Sequence, residues 1–270
     1  MKNSISYIIY LFILSFLTSC ERVIELELRD DTERLVIEAN IHDQRGVQTI
    51  QLSTNVRFSD KNTYPPVTGA QVSVEDDAGN NYIFREGPVG VYTNDSVSGI
   101  YAKTYSLTVV TGDSTFRASS KMPLPVKLDS VSTRKDEFGE NEDARIISVH
   151  YQDPPGIANQ YRFVLYLNGM LIKRDFVNDD QFSDGRSVEL DLPLGDDDDD
   201  LEVLPGDRVE VEMQCIDKEV YTYWYSLASQ QGSDGPGGSV TPADPPTNIT
   251  PTSLGYFSAH TIERKIIIVK

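Results

Sequence analysis

The chain has 270 residues, with 24 basic against 42 acidic side chains and a formal net charge of −18. Such a surface repels phosphate backbones, which argues against a nucleic-acid partner. The length suits one large or two ordinary domains and allows a substantial core.

The first element covers residues 1–19. Lys2 precedes an apolar run, Tyr7–Leu17, and small residues follow it. The run is too short to cross a bilayer, which takes ~20 apolar residues. It reads as a signal peptide. Its end, Leu17-Thr18-Ser19-Cys20, resembles the lipobox of bacterial lipoproteins. That resemblance implies diacylglycerol on the Cys20 thiol and cleavage just before it, so that lipid holds the mature chain on a membrane. Several acyl chains together anchor stably, whereas one is marginal. Residues 20–32 are acidic and read as a tether, with a short strand in Val23–Leu28.

From Leu35 the pattern is β. Leu35–Ile41 is a strand, His42–Gly46 a turn, and Val47–Phe58 returns in alternation. Gly69–Val74 and Asn81–Arg85 flank the turn Asp76–Asn80. Tyr105–Val109 alternates cleanly and Thr111–Ser114 turns it into Thr115–Ser119. Short strands separated by turns every ten residues or so predict a β-sandwich over 33–122. Gly69-Ala70-Gln71-Val72, with the later Gly90-Val91-Tyr92, resembles the small transthyretin-like sandwich. That resemblance implies a rigid scaffold without activity of its own.

Met122-Pro123-Leu124-Pro125 holds the chain extended and marks a boundary. The second domain is expected over 126–270. Val126–Ser132, Arg145–Tyr151, Tyr161–Leu167, Met170–Phe176, Ser187–Leu192 and Arg208–Ile216 read as strands, with a polar loop at Arg134–Asp143. Asn168-Gly169 is the strongest hairpin turn. In Glu219–Gln231, Val220, Tyr223, Trp224 and Leu227 recur at helical spacing. Its aromatic residues read as a face packed on a sheet, with a sugar-stacking platform as the alternative. Gly232–Ser253 is a long Pro- and Gly-rich loop, and Ile262–Val269 is the last strand. The fold expected is thus all-β: two tandem immunoglobulin-like or transthyretin-like β-sandwich domains with one short helix.

Catalytic signals are missing from the sequence. His42, His150 and His260 are over a hundred positions apart, so zinc spacing is absent. No Gly-x-Ser-x-Gly elbow or phosphate-binding glycine loop occurs. Cys215 alternates with Val209, Val211 and Met213 and reads as a small core residue. Asp180, Asp184, Gly185 and Asp191 fit positions 1, 5, 6 and 12 of a calcium loop, but Phe182 at position 3 cannot ligate. The run Asp196–Asp200 reads as a solvated loop. The expectation is therefore no enzyme, no cofactor and no metal. Long loops on rigid scaffolds carry function, which makes Trp224, Tyr225, Asn248, Tyr256 and Phe257 the candidate binding residues. Tyr256 and Phe257 take opposite faces if their block is a strand. The competing expectation is that Leu254–Ala259 merely opens the last strand and Asn248 pins the loop.

Taken in order, these blocks resemble the DUF4249 family of Bacteroidota lipoproteins. The matching residues are the lipobox, Leu35–Ile41, Gly69–Val72, Tyr105–Val109, Asp180–Gly185, the Tyr221–Leu227 helix, Pro246–Ile249 and Leu254–Ala259. The family usually has Gly-Gly before the Leu-Gly-Tyr-Phe, where this chain has Thr252-Ser253. The resemblance implies an outer-membrane lipoprotein, facing the periplasm or the cell surface. It also implies a TonB-dependent transporter as partner, with an accessory or ligand-binding role. The alternatives are a surface adhesin, or a hydrolase whose site the sequence does not display.

Overall fold

A computed structural model describes residues 34–56, 63–137, 141–194, 201–231 and 243–270. The signal segment, Cys20, the tether with its Val23–Leu28 strand, Phe58, the acidic run 196–200 and residues 232–242 of the long loop lie outside the described residues.

The first seven strands are β1 (Leu35–His42), β2 (Gln48–Thr54), β3 (Gln71–Asp76), β4 (Asn81–Glu86), β5 (Val91–Asn94), β6 (Thr104–Thr111) and β7 (Ser114–Lys121). Next come β8 (Leu128–Lys135), β9 (Arg145–Gln152), β10 (Gln160–Leu167), β11 (Met170–Leu171), β12 (Phe176–Asp179), β13 (Ser187–Leu192) and β14 (Arg208–Ile216). The helix α1 (Lys218–Gln231), β15 (Ile249–Thr250) and β16 (Leu254–Ile268) complete the chain. The fold is all-β, sandwich-like, with a single short helix among the described residues.

Alternation explains the strands. Leu35, Ile37, Ala39 and Ile41 of β1 are buried, while Glu38, Asn40 and His42 face the other way. One long sheet runs β16-β1-β2-β5-β4-β3-β6-β7-β15 and continues from β16 through β14 to β10, whose far edge holds β11 and β12. A second sheet, β13-β9-β8, faces that far end. The first core contains Ile37, Leu52, Val74, Tyr92, Leu107 and Met122. The second starts at Val126 and contains Tyr151, Phe163, Val211, Met213 and Cys215. Tyr92 ties two sequence blocks together: its buried hydroxyl donates to the Val67 carbonyl and accepts from the Ala70 amide, each at 3.0 Å.

The last strand is longer than Ile262–Val269, with Leu254–Ala259 as its opening half. It starts at Leu254, not Ile262, because no turn residue interrupts the pattern between Ala259 and Ile262. Its first half pairs parallel with β1, from Val36–Leu254 to His42–His260. Its second half pairs antiparallel with β14, from Cys215–Thr261 to Arg208–Ile268. Phe257 and Ala259 thereby enter the first core from beyond residue 122, together with Ile249 of β15. Other boundaries move as well. β8 runs to Lys135, because Arg134 and Lys135 pair with Ile146 and Arg145, so the loop expected from Arg134 starts later. The return expected as one strand over Met170–Phe176 splits into β11 and β12, both on the β10 edge.

Gly255 fixes the β1–β16 junction. Its φ is +92°, and a Cβ there would overlap the Ile37 carbonyl on the paired strand. A side chain is therefore refused twice, by backbone conformation and by contact. Gly255→Ala should cost about 2 kcal/mol or more in urea unfolding. An unchanged midpoint would show that β16 tolerates displacement from β1.

Candidate functional site

Because β16 lies between β1 and β14, its even-numbered residues share one outer face with the outward row of β1. The cross-strand pairs are Glu38–Tyr256, Asn40–Ser258 and His42–His260. On the other side of β1, Gln51 of β2 stands opposite Glu38. A groove of about 260 Å³ runs over these strands, lined by Glu38, Asn40, His42, Thr49, Gln51 and Tyr256, with Val47 exposed at its rim.

The floor and walls are held by hydrogen bonds. Asn40 Nδ2 donates to the Tyr256 hydroxyl at 3.3 Å. Buried Gln48 holds the end of β1: its Oε1 accepts the His42 amide at 2.9 Å and its Nε2 donates to the Gln44 carbonyl at 3.2 Å. His260 is buried, 6.4 Å from His42 between ring centroids, and its Nδ1 lies 3.0 Å from the Ser258 hydroxyl. By contrast, the Glu38 carboxylate, the Thr49 hydroxyl and the Gln51 amide have no side-chain hydrogen-bond partner among the described residues. Glu38 is exposed to solvent yet surrounded by protein on the concave side. That crowding raises its carboxyl above the ordinary value, and the Arg162 guanidinium offsets part of the rise.

Helix α1 packs against Tyr256 beside the groove. Asp217 caps it, accepting the Val220 amide at 2.9 Å, and this cap starts the helix at Lys218, one residue before the expected Glu219. The other Asp217 oxygen accepts from the Ser120 hydroxyl, and Ser120 Oγ accepts the Ala259 amide at 2.8 Å. The cap thus ties the helix to β7 and β16. Val220 is buried, and Tyr223 and Trp224 pack over Tyr256 with ring centroids 5.0 Å away in both cases. Arg162 lies 3.6 Å from the Trp224 ring centroid. Its Nη1 donates to Gln214 at 3.2 Å, Gln214 donates to Glu212 at 2.6 Å, and Arg264 pairs with Glu212 at 2.6 Å. A chain of charge-assisted bonds therefore crosses the outer face beside the groove.

The structure places the five predicted binding residues differently. Trp224 and Tyr256 pack on each other, and of the two only Tyr256 lines the groove. Tyr225 is 55% exposed and stacks on Tyr221 at 5.7 Å, on the outer side of α1. Phe257 is fully buried in the first core. Asn248 joins backbone to backbone: its Nδ2 donates to the carbonyls of Ser119 and Phe257, and its Oδ1 accepts the Phe257 amide. Glu38, Asn40, Thr49 and Gln51 were not among the sequence candidates. Their signal was the polar half of an alternating strand, which looks like any solvent-facing row.

Two other clusters bring polar side chains together. Asp153, Asp180 and Asp184 bring one carboxylate oxygen each within 4.8 Å of one another. Asp153 accepts from the Tyr161 hydroxyl and the Gly185 amide, Asp180 from the Asn159 amide and Asp184 from the Gly156 amide. The three staple neighbouring loops together. Asp191, twelfth in the calcium-loop frame, instead engages Arg134 and Ser148, and Phe182 is 84% exposed. The Ser132 hydroxyl lies 2.7 Å from His150 Nε2 on an exposed strand face, and no acid bonds the other ring nitrogen among the described residues. Cys215 is buried in the second core and burial pushes its thiol up, as for an inert core cysteine.

Burial lowers His260 to about 3 from its ordinary 6.5, helped by repulsion from His42 and Arg162. The folded chain therefore binds fewer protons than the unfolded one between these values. Stability falls as the pH drops from about 6.5 towards 3. His42 is also lowered by burial and adds to the same trend. Between pH 7.5 and 5.5, above the main carboxylate range, His260→Gln should lose about 1 kcal/mol less stability than the wild type. Equal losses in denaturant titrations at the two pH values would show that His260 accepts a proton in the folded state.

The chain matches the family described as "Domain of unknown function (DUF4249)" over residues 21–266. A search of curated proteins returns no match. The family match spans most of the chain, including every strand that builds the groove, and the chain belongs to the DUF4249 family.

Proposed function

We propose that this protein is a non-enzymatic lipoprotein of a Bacteroidota outer membrane, fixed by lipid on Cys20, which binds a ligand handled by a TonB-dependent transporter. The observation that carries the binding role is the groove on β1, β2 and β16. Three of its polar side chains, Glu38, Thr49 and Gln51, have no hydrogen-bond partner among the described residues. Concave sites with a few convergent polar groups beside aromatic side chains are the usual form of a small-ligand site. The lipobox-like Leu17-Thr18-Ser19-Cys20 supports the anchor. The transporter partnership rests on the family resemblance.

Anchor and partnership are tested together. Wild-type protein should fractionate with the outer membrane and co-purify with a TonB-dependent transporter after detergent extraction. Cys20→Ala should appear almost entirely in the soluble fraction or as unprocessed precursor. If Cys20→Ala still fractionates with the outer membrane, the anchor is not at Cys20. If the wild type brings down no transporter, the accessory role falls.

A further inference from the structure

We infer that the groove over β1, β2 and β16 takes a single neutral sugar ring, hydrogen-bonded by the Glu38 carboxylate and the Asn40 and Gln51 amides. This rests on the ligand-binding reading above and specifies the ligand class.

Three observations lead there. First is size. At about 260 Å³ the groove lies below the range of about 300–1,000 Å³ typical of drug-sized ligands, so it suits one ring rather than a chain of rings. Second is hydrogen-bond character. Glu38 offers acceptors only, while Gln51 and Asn40 offer both donors and acceptors, and Thr49 adds a hydroxyl. A sugar hydroxyl also donates and accepts, so it satisfies this mixed set. An ammonium group donates only and would leave the amide hydrogens unmatched. Glu38 and Gln51 stand directly opposite on paired strands, with Cβ atoms about 5 Å apart, and Asn40 follows two residues along. That spacing presents planar polar groups to adjacent hydroxyls of one ring.

Third is charge. The guanidinium of Arg162, held on Trp224, already acts on Glu38 and works against a cationic guest. Glu38 itself, in a chain of net charge −18, works against an anionic one. A neutral guest avoids both penalties. The rim supplies exposed apolar surface for the ring's C–H faces, from Val47.

The chain has one tryptophan, Trp224, and it packs against Tyr256 of the groove. Its emission therefore reports where a ligand binds, and calorimetry reports affinity. The purified full chain is titrated with glucose, galactose, mannose, xylose and N-acetylglucosamine, with choline as cationic probe and inorganic phosphate as anionic probe. At least one neutral sugar should bind saturably and shift Trp224 emission. Glu38→Gln, an isosteric change at an exposed position, should weaken it about tenfold, the usual effect of losing a charged hydrogen bond. Gln51→Ala serves as the second variant and should weaken it as well. Binding of none of the five sugars overturns the inference, as does binding of choline or phosphate alone, or sugar binding untouched by both variants. A transporter that co-purifies with a chain blind to sugars would overturn this inference and leave the accessory role standing. Sugar binding without any transporter would do the reverse.

Discussion

Everything else in the molecule depends on the backbone pairing of β16, which joins β1 on one side over its first half and β14 on the other over its second. Residues 255–262 are buried on both faces as a result. A strand in that position cannot leave polar side chains to water. Phe257 and Ala259 fill the first core, and the even-numbered residues satisfy one another instead. Ser258 meets His260, and the Tyr256 hydroxyl meets Asn40. The same rule explains why Gly255 is required where the strand enters: the β1 carbonyls approach too closely for a side chain.

Local pattern made most of the fold legible. Alternation located the strands around Leu35, Tyr105 and Val209, and the three- and four-residue spacing of Val220, Tyr223, Trp224 and Leu227 located the helix. Long-range pairing was not legible. β1 and β16 are parallel partners more than 200 positions apart, and no residue in either strand names the other. Since the groove exists only where those two strands meet β2, its lining residues read as an ordinary solvated row. The acidic loop shows the same limit. Asp180 and Asp184 were visible as a pair, but Asp153 joins them only through the packing of two loops.

The aromatic cluster shows how one sequence signal divides between packing and exposure. The helix places Tyr223 and Trp224 over Tyr256 and turns Tyr225 outward, a consequence of the 100° step per residue. Phe257, next to Tyr256 in sequence, falls on the opposite side of the sheet because strand residues alternate. Asn248 also resolves into structure, since its amide is engaged with three backbone groups.

What remains free for a ligand is then set by contrast with its surroundings. Along β14 the polar groups bond one another, from Arg264 through Glu212 and Gln214 to Arg162, whose buried Nε has no hydrogen-bond partner among the described residues. The carboxylate and amide of Glu212 and Gln214 could bond a guest only by first breaking an existing pair, and breaking a buried pair is costly. On β1 and β2, two and three strands away, Glu38, Thr49 and Gln51 have no such partners among the described residues. A ligand of the kind proposed would gain hydrogen bonds there by displacing only water. The Arg162 guanidinium rests on the Trp224 ring, which packs on Tyr256, and its charge acts on Glu38 at the groove.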